Sequence, residues 1–453
     1  MTAGKTNLGQ LLNHITMGKD DNRPYVYAPV LIETNMPYTN SSFGCPYVDN
    51  TSLVFGQIVA ATNSVPMLLV SSMGAILSQQ IIDGTSFHPD NVTAAVVHRV
   101  VASPDQIKIL IGGSSGDNAF IALFNGDSTL DKAIKLTPPS TLQTTISKVL
   151  YYQDNYYVIG YQTGSGTPMS SGFIMKLDNT FSVVASKKFG ASTGTSFSVM
   201  PFDAIFNLAG QLVISTNHDS FDGGDKDIGI YVFNTSLTNL ARVEIKAYES
   251  FTGYCGIGQK TTGAYIIAGR TPNKKIEIYS VAANLSSATR ISHVSSGTEA
   301  GDEAEPRSMS VVYDNMVAIS GYVEQYITGY KRQFVMYLDK NTLNPVTTMY
   351  YADDFGDSTD RSFSCSFVDI SQRLVNIGNE GIATTILYTD PYGTTSGCAH
   401  LDTASWTNSA RSVATITPVT NYTEASLVFT QSALTDISMT ATTGLTTSIW
   451  CAY

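Results

Sequence analysis

Short apolar runs separated by polar, turn-rich segments recur along most of this chain at intervals of about 53 residues. Residues 157–160 (YVIG) precede residues 173–178 (FIMKLD), and residues 316–321 (MVAISG) precede residues 334–339 (FVMYLD). The runs are short, rich in β-branched residues and bounded by turn residues, as β-strands require. A strand-based period of this length is typical of a β-propeller.

Each unit contains four apolar or half-apolar runs, of which the third is the most regular. The third runs begin at Met67, Phe120, Phe173, Ile228, Ile276, Phe334 and Thr385. The run that follows each of them is more polar, as an outer, half-exposed strand should be. The sequence therefore predicts an all-β fold, a seven-bladed β-propeller with four antiparallel strands per blade.

The two ends of the chain differ from the repeats. We predict an N-terminal arm over residues 1–50, the propeller over residues 51–408 and a Thr-rich C-terminal extension with strand-like runs over residues 409–453. Leucines at helical spacing indicate a short amphipathic helix within residues 6–17, which packs on its own propeller or docks a partner. The innermost strand of blade one is not evident, and we expect it to come from residues 25–32 or from the C-terminus. Such a closure would remove the exposed edges of an open array.

The units resemble a bacterial and viral family of extracellular β-propeller repeats found in secreted and surface proteins. The resemblance lies in a strand ending in Gly, a strand of the form hydrophobic-x-Lys-Leu-Asp, and a Gly-rich acidic link. Residues 173–178 followed by residues 188–190 (KFG) match this form, and residues 334–339 match it except for Tyr337 in place of Lys. The resemblance covers residues 51–405 and implies a surface or secreted propeller. It implies no single activity, because propellers host enzymes, lectins and scaffolds alike.

Composition narrows the classes of partner. Charged residues make up 14% of the chain and the formal net charge is −11. A nucleic-acid surface needs clustered Lys and Arg, which the sequence lacks. No run approaches the ~18 apolar residues of a membrane-spanning helix. We therefore expect neither nucleic-acid binding nor membrane insertion.

Four carboxylates lie close together in the loop predicted after the second strand of blade four: Asp219, Asp222, Asp225 and Asp227. In a propeller these loops and the links between blades emerge on one face, so we expect that face to be acidic. Calcium takes about six to eight oxygen ligands, and this loop is the best candidate site for it. The alternative is a set of solvated turns, in which Asp is common. We expect no other cofactor.

Three tyrosines are assigned to the long loop of blade six: Tyr322, Tyr326 and Tyr330. Aromatic loops form sugar and protein interfaces, which makes these residues candidate interface residues. The alternative is that they fill strands.

Four of the five cysteines form two groups, which leaves Cys45 apart. Cys255 and Cys365 fall at the starts of repeats, where we expect buried inner strands. Cys398 and Cys451 bracket the C-terminal segment, and we predict a disulfide between them in an oxidising environment.

Three motifs imitate catalytic loops without the flanking structure. Residues 253–261 nearly spell a phosphate-binding loop, and residues 112–116 and 190–194 spell G-x-S-x-G. Each motif needs a following helix, whereas the first two precede predicted strands and the third lies in a link between blades.

The sequence therefore favours a non-enzymatic structural or binding propeller that is extracellular or part of a virion. A charge-poor composition and an N-terminus without the apolar centre of a secretory signal favour a virion or surface-appendage component. Its partners would be other structural proteins, or a receptor or glycan at a cell surface. A secreted glycan-binding or adhesion protein and a carboxylate-dependent glycan hydrolase remain open as alternatives.

Overall fold

The structure is a computed structural model. It describes residues 30–451 except for gaps at 38–42, 49–50, 59–62, 101–105, 140–141, 165–169, 192–197, 220–225, 247–252, 272–274, 296–302, 313–315, 325–330, 352–360, 370–371, 382, 391–397, 399–400, 404–405, 410–411, 420–421, 426 and 428. The helix predicted within residues 6–17 lies outside the described residues. Within the described residues every strand lies in one of seven sheets.

The strands follow in chain order. The N-terminal strand is β1 (Val30–Pro37). Blades one to three contain β2 (Phe43–Pro46), β3 (Thr51–Phe55), β4 (Val65–Ser71), β5 (Ile76–Asp83), β6 (Asn91–Val100), β7 (Gln106–Ser115), β8 (Asn118–Asn125), β9 (Leu130–Thr137), β10 (Leu142–Tyr152), β11 (Asn155–Gly164), β12 (Ser170–Asp178) and β13 (Val183–Ala191). Blades four to six contain β14 (Val199–Phe206), β15 (Leu212–Asp219), β16 (Lys226–Phe233), β17 (Asn239–Ile245), β18 (Gly253–Gln259), β19 (Tyr265–Arg270), β20 (Ile276–Val281), β21 (Ala288–Ser295), β22 (Glu303–Val312), β23 (Met316–Glu324), β24 (Lys331–Asp339) and β25 (Pro345–Tyr351). Blade seven contains β26 (Arg361–Val368), β27 (Leu374–Glu380) and β28 (Ala383–Thr389). The C-terminal segment contains β29 (Leu401–Thr403), β30 (Trp406–Asn408), β31 (Ser412–Ala414), β32 (Ile416–Pro418), β33 (Tyr422–Ala425), β34 (Thr430–Ala433), β35 (Ser438–Ala441) and β36 (Thr447–Cys451).

The sheets confirm the seven-bladed propeller, and they correct the expected origin of one strand. The innermost strand of blade one is β2, which pairs with β3, and it comes neither from residues 25–32 nor from the C-terminus. Its four residues include Gly44 and Pro46, which are poor strand formers, so the sequence pattern does not reveal it. The N-terminal arm instead supplies β1, which pairs with β28 as the fourth strand of blade seven. The ring is thus closed by strands from both ends of the repeat region.

The C-terminal segment runs around the whole propeller as a belt. We call residues 398–451 the C-terminal belt. Its strands add a fifth, antiparallel strand to the outer edge of every blade, in the order six, five, four, three, two, one and seven. The predicted run at residues 448–450 lies inside β36, the last of these strands. The belt therefore pairs with every blade rather than standing apart from them.

The belt also contributes apolar side chains between the blades. The described residues form seven hydrophobic clusters, and each includes at least one residue of the C-terminal belt. The contributing residues include Cys398, Trp406, Ile416, Val419, Phe429, Ile437 and Leu445. Burial of apolar surface at each cluster stabilises the attachment of the belt along its length.

Inner strands of six blades share one β-bulge. The extra residue is Thr93, Ser147, Phe202, Cys255, Arg307 or Ser364 in blades two to seven. At two bulges the hydroxyl crosses to the next blade: Thr93 donates to Ile146 O at 2.7 Å, and Ser147 donates to Pro201 O at 2.6 Å. These two bulges thus link the inner strands of blades two, three and four.

Outer strands carry a second bulge in blades one, two, three, four and six. The extra residues are exposed: Leu77, Asp131, Val184, Leu240 and Val346. The outer strand of blade five, β21, pairs with β20 without such a shift, and it accepts two belt strands, β30 and β31. A bulge twists a strand edge away from further pairing. Because β21 has no such bulge, its residues 288–290 can pair with β31 in addition to the pairing of this strand with β30.

A search of the described residues for a helix that is both long and apolar enough to span a membrane finds none.

Candidate functional site

We call the face on which the second strand of each blade is followed by the third the upper face of the propeller. The described strand ends at this face in blades four and six contain Asp219, Asp227 and Tyr322. In blade four, Asp219 ends β15 opposite Lys226, and His218 lies opposite Asp227 of β16. Asp227 is 2% exposed and is therefore a buried strand residue. Asp222 and Asp225 lie outside the described residues. The structure thus separates buried Asp227 from the loop, and calcium binding here stays a prediction.

His218 is buried at the base of this loop with its imidazole uncharged. Its side chain is fully buried, and its Nε2 lies 2.8 Å from the hydroxyl of Tyr231. Burial lowers the pKa of His218 to about 3, so the imidazole is uncharged at neutral pH. Within the described ranges, no three His, Cys, Asp or Glu side chains are grouped so that they could hold a metal ion.

Tyr322 lies in strand β23, where it pairs with Gln333, and not in the loop of blade six. It is 7% exposed, and its hydroxyl donates to Glu305 Oε2 at 2.8 Å. The strand continues beyond Gly321 because Tyr322 and Val323 extend the ladder with β24. Tyr326 and Tyr330 lie outside the described residues. The assignment of Tyr322 to the loop is wrong, and the interface role of the three tyrosines stays a prediction.

Positive side chains surround the ring of Tyr322. The Arg307 guanidinium lies 5.5 Å and the Lys331 ammonium 5.1 Å from the ring centroid, within the range of cation–π attraction. Glu305 accepts hydrogen bonds from Arg270 at 2.5 Å and from Arg307 at 2.6 Å. We call these five residues the Tyr322 cluster. It holds three cations and one carboxylate.

The Tyr322 cluster combines a buried tyrosine, held in place by Glu305, with an arginine that is accessible to solvent. Burial raises the pKa of Tyr322, so the phenol stays protonated and keeps its hydrogen bond to Glu305. The Arg307 side chain is 44% exposed. A guanidinium held by a carboxylate and an aromatic ring is well placed to meet acidic or aromatic groups of a partner.

The inner strands hold an ion pair that the sequence reading missed. Lys148 Nζ lies 2.7 Å from Asp203 Oδ1, across the inner strands of blades three and four. Asp203 also accepts hydrogen bonds from the main-chain N–H groups of Ala204 at 2.9 Å and Ile257 at 3.0 Å. Because its oxygens are occupied by three donors, Asp203 joins blades three, four and five and is poorly suited to catalysis as a base.

The cysteines expected on inner strands lie there. Cys255 is in β18 and Cys365 in β26. Cys45 and Cys365 are free, buried thiols, and burial raises the pKa of Cys365 to about 11. A thiol with a raised pKa is a weak nucleophile, which favours a structural role.

The register of blade seven bears on the predicted disulfide. Cys398 is buried in the same hydrophobic cluster as Leu31, and Leu31 lies opposite Cys451 in the pairing of β1 with β36. The two predicted partners are therefore close to a shared neighbour, and the disulfide stays a prediction.

Two of the three imitation catalytic loops have the flanking structure that the sequence predicts, and residues 192–194 of the third lie outside the described residues. Residues 112–115 lie within β7 and are followed by β8. Residues 253–259 form β18 and are followed by β19. Neither motif precedes a helix, so neither forms a phosphate-binding loop or a nucleophile elbow.

Comparison with known proteins adds little beyond the fold. No protein-family model matches the chain, and no curated protein matches it. A hypothetical protein from Leishmania major is 10% identical with a TM-score of 0.29, covering 56% of this chain and 88% of its own. A mannose phosphorylase from Leishmania mexicana is 12% identical with a TM-score of 0.32, covering 57% and 89%. A β-fructofuranosidase from Bombyx mori is 11% identical with a TM-score of 0.32, covering 84% and 93%. Likeness at this level carries no argument about activity.

Proposed function

We propose that this chain is a non-enzymatic, extracellular structural and binding propeller, a component of a virion or surface appendage that contacts another structural protein or a cell-surface receptor. The observation that carries the proposal is the C-terminal belt, which pairs with all seven blades. A ring held by a belt that pairs with every blade suits a protein that must persist in an assembled particle.

The belt should make the propeller persistent because it couples the blades to one another. Separating any blade from its neighbours requires release of a belt strand as well as of the inter-blade cluster that the belt helps to fill. The belt also pairs part of each outer edge, which reduces the backbone groups open to unwanted strand addition. Persistence outside a cell depends on slow unfolding, and interactions that must all break together slow it.

The Tyr322 cluster is the described surface that best supports a contact role. The chain as a whole is acidic, with a formal net charge of −11, whereas this cluster contains three cations and one carboxylate. Glu324 lies opposite both Lys331 and Glu303 in the same ladders, so the surroundings of the cluster also carry negative charge. The group that would favour a negatively charged partner is therefore the exposed guanidinium of Arg307. The cluster also adjoins residues 325–330, which contain the two other tyrosines predicted at the interface.

The test begins with particles or appendages purified from the producing cells. Reconstruction of the particle should place the propeller with the upper face of blade six against a neighbouring subunit. Arg307→Glu should reduce incorporation, while Lys132→Glu, an exposed control on blade two, should not. Recovery of the chain only as a free secreted protein would overturn the particle assignment.

A second experiment distinguishes the proposal from the two alternative functions, glycan binding and glycan hydrolysis. The purified chain is incubated with a glycan panel, and both binding and turnover are measured. Binding without turnover would favour the secreted glycan-binding or adhesion protein. Turnover that is lost in Asp219→Asn and Asp222→Asn would favour a carboxylate-dependent hydrolase and contradict the proposal.

A further inference from the structure

The interface between blades six and seven contains buried polar residues, one of which, Asn376, stands where blades two to six have aliphatic residues. Asn376 of β27 lies opposite Ser366 of β26, two places beyond the inner-strand bulge. The residues at the same register in blades two to six are Ile111, Val158, Ile214, Ile267 and Ile319. Asn376 is fully buried, and neither atom of its carboxamide has a hydrogen-bond partner among the described residues.

Gln333 of blade six is a second polar residue at an aliphatic or small position. It lies on β24, and the same register in blades two to five holds Ala119, Gly172, Ile228 and Ile276. Its Nε2 donates to Asn379 O at 2.8 Å and Thr385 Oγ1 at 2.8 Å, which fixes the carboxamide against blade seven. Its Oε1 is left without a partner within the described part of the chain.

Ser320 completes the polar surface on blade six. It pairs with Val335, next to Gln333 on the same face of β24, and its buried Oγ has no partner in the described structure. Ser320 also pairs with Ser308 of the inner strand. We call Ser320, Gln333 and Asn376 the buried polar cluster.

A row of hydroxyls connects this cluster to the inner strands. Ser366 Oγ donates to Ser308 Oγ at 3.1 Å and lies 3.3 Å from Ser310 Oγ. Ser308 is the cross-strand neighbour of Ser320, and Ser366 is that of Asn376. All three connecting serines are only half-buried, so the hydroxyl row leads from the closed interface toward the axis of the ring.

The unpaired hydrogen-bond donors and acceptors of the buried polar cluster determine which kind of ligand it can bind. Ser320 Oγ, Gln333 Oε1 and Asn376 Oδ1 can accept hydrogen bonds, while Asn376 Nδ2 must donate one. A cation would satisfy the oxygens and leave the amide N–H groups facing a positive charge. Water both donates and accepts, and buried waters characteristically bridge several polar groups that would otherwise be unpaired. We propose that the buried polar cluster is a binding site for ordered water, supplied through Ser308, Ser310 and Ser366.

A high-resolution crystal structure of the full chain tests the proposal directly. We expect water density within hydrogen-bonding distance of Asn376 and of Ser320 or Gln333. Asn376→Ile introduces the residue of the sister blades and should remove that density, while Ile267→Val at the same register of blade five should leave it unchanged. Side chains that reorient to pair with one another, with no density between them, would overturn the proposal. If Asn376→Ile does not fold, the density of the unmodified chain decides.

A solution measurement separates water from a monovalent cation. The thermal midpoint of the full chain is compared in sodium, potassium and N-methylglucamine chloride at equal ionic strength. Water binding predicts the same midpoint in all three salts. A midpoint raised selectively by sodium or potassium, and lost in Asn376→Ile, would assign the site to that cation and overturn the proposal.

Discussion

Leu31, in the first described strand, lies directly opposite Cys451, at the end of the last strand, on the outer edge of blade seven. The two ends of the described chain therefore meet in one sheet, in the order β28, β1, β36. Blade seven is closed twice, once by the N-terminal strand and once by the belt. Loss of β36 would expose the outer edge of β1, and loss of β1 would expose the outer edge of β28.

A disulfide between Cys398 and Cys451 would fix this double closure. We expect non-reducing peptide mapping to recover the two cysteines in one linked fragment, and Cys398→Ser to abolish it. Cys45 and Cys365 serve as internal controls, because both are buried free thiols that should react with alkylating agents only after unfolding. Linkage of either control cysteine, or alkylation of Cys398 in the native protein, would contradict the prediction.

Belt attachment should depend on its buried apolar residues. Ile437 is 2% exposed and packs in the cluster between blades one and two. Ile437→Ala should lower the free energy of unfolding by about 3 kcal/mol, because it leaves a cavity in a packed cluster. Val413→Ala is the matched control in the same belt, since Val413 is 83% exposed, and it should change stability by less than ~0.5 kcal/mol. The measurement is chemical denaturation, and equal effects of the two changes would show that the belt is not tightly packed.

The repeat could be predicted from sequence because its strands are β-branched, bounded by turns and evenly spaced. The belt could not be predicted in the same way, because its strands span as few as three residues and its buried residues, such as Ile437, occur in small numbers per blade among polar ones. The spacing of these residues follows the spacing of the blades around the ring, so it can be recognised only once the fold is known. Lys148 and Asp203 offered a signal that was overlooked: the two charges lie about one repeat apart, on neighbouring inner strands.

The Lys148–Asp203 pair should hold adjacent inner strands together. Asp203→Ala removes the acceptor for Lys148 and for the N–H of Ile257, so we expect a loss of about 2 kcal/mol in the free energy of unfolding. Lys148→Met should cost less, because the Lys148 side chain is about a third exposed and Asp203 keeps its main-chain donors. A double-mutant cycle by urea denaturation measures the coupling between them. Strictly additive effects would mean that the pair contributes nothing of its own.

Two buried histidines should make the propeller less stable in mild acid. Burial lowers the pKa of His98 to about 4 and that of His218 to about 3, from an ordinary value of 6.5. As the pH falls below about 6.5, the unfolded chain takes up protons that the folded chain does not. The free energy of unfolding should therefore decrease by up to ~1.4 kcal/mol per pH unit for each histidine, down to about pH 4 for His98.

His98→Phe isolates the share of one histidine. The ring of His98 stacks on Tyr151 with centroids 3.8 Å apart, and phenylalanine can keep that stacking without titrating. Urea denaturation across the pH range should show a shallower acid dependence for His98→Phe than for the unmodified chain. The slopes should coincide above about pH 7.5, where histidine is neutral in both states. An identical slope between pH 6.5 and 4 would mean that His98 takes up its proton in the folded protein as readily as in the unfolded one.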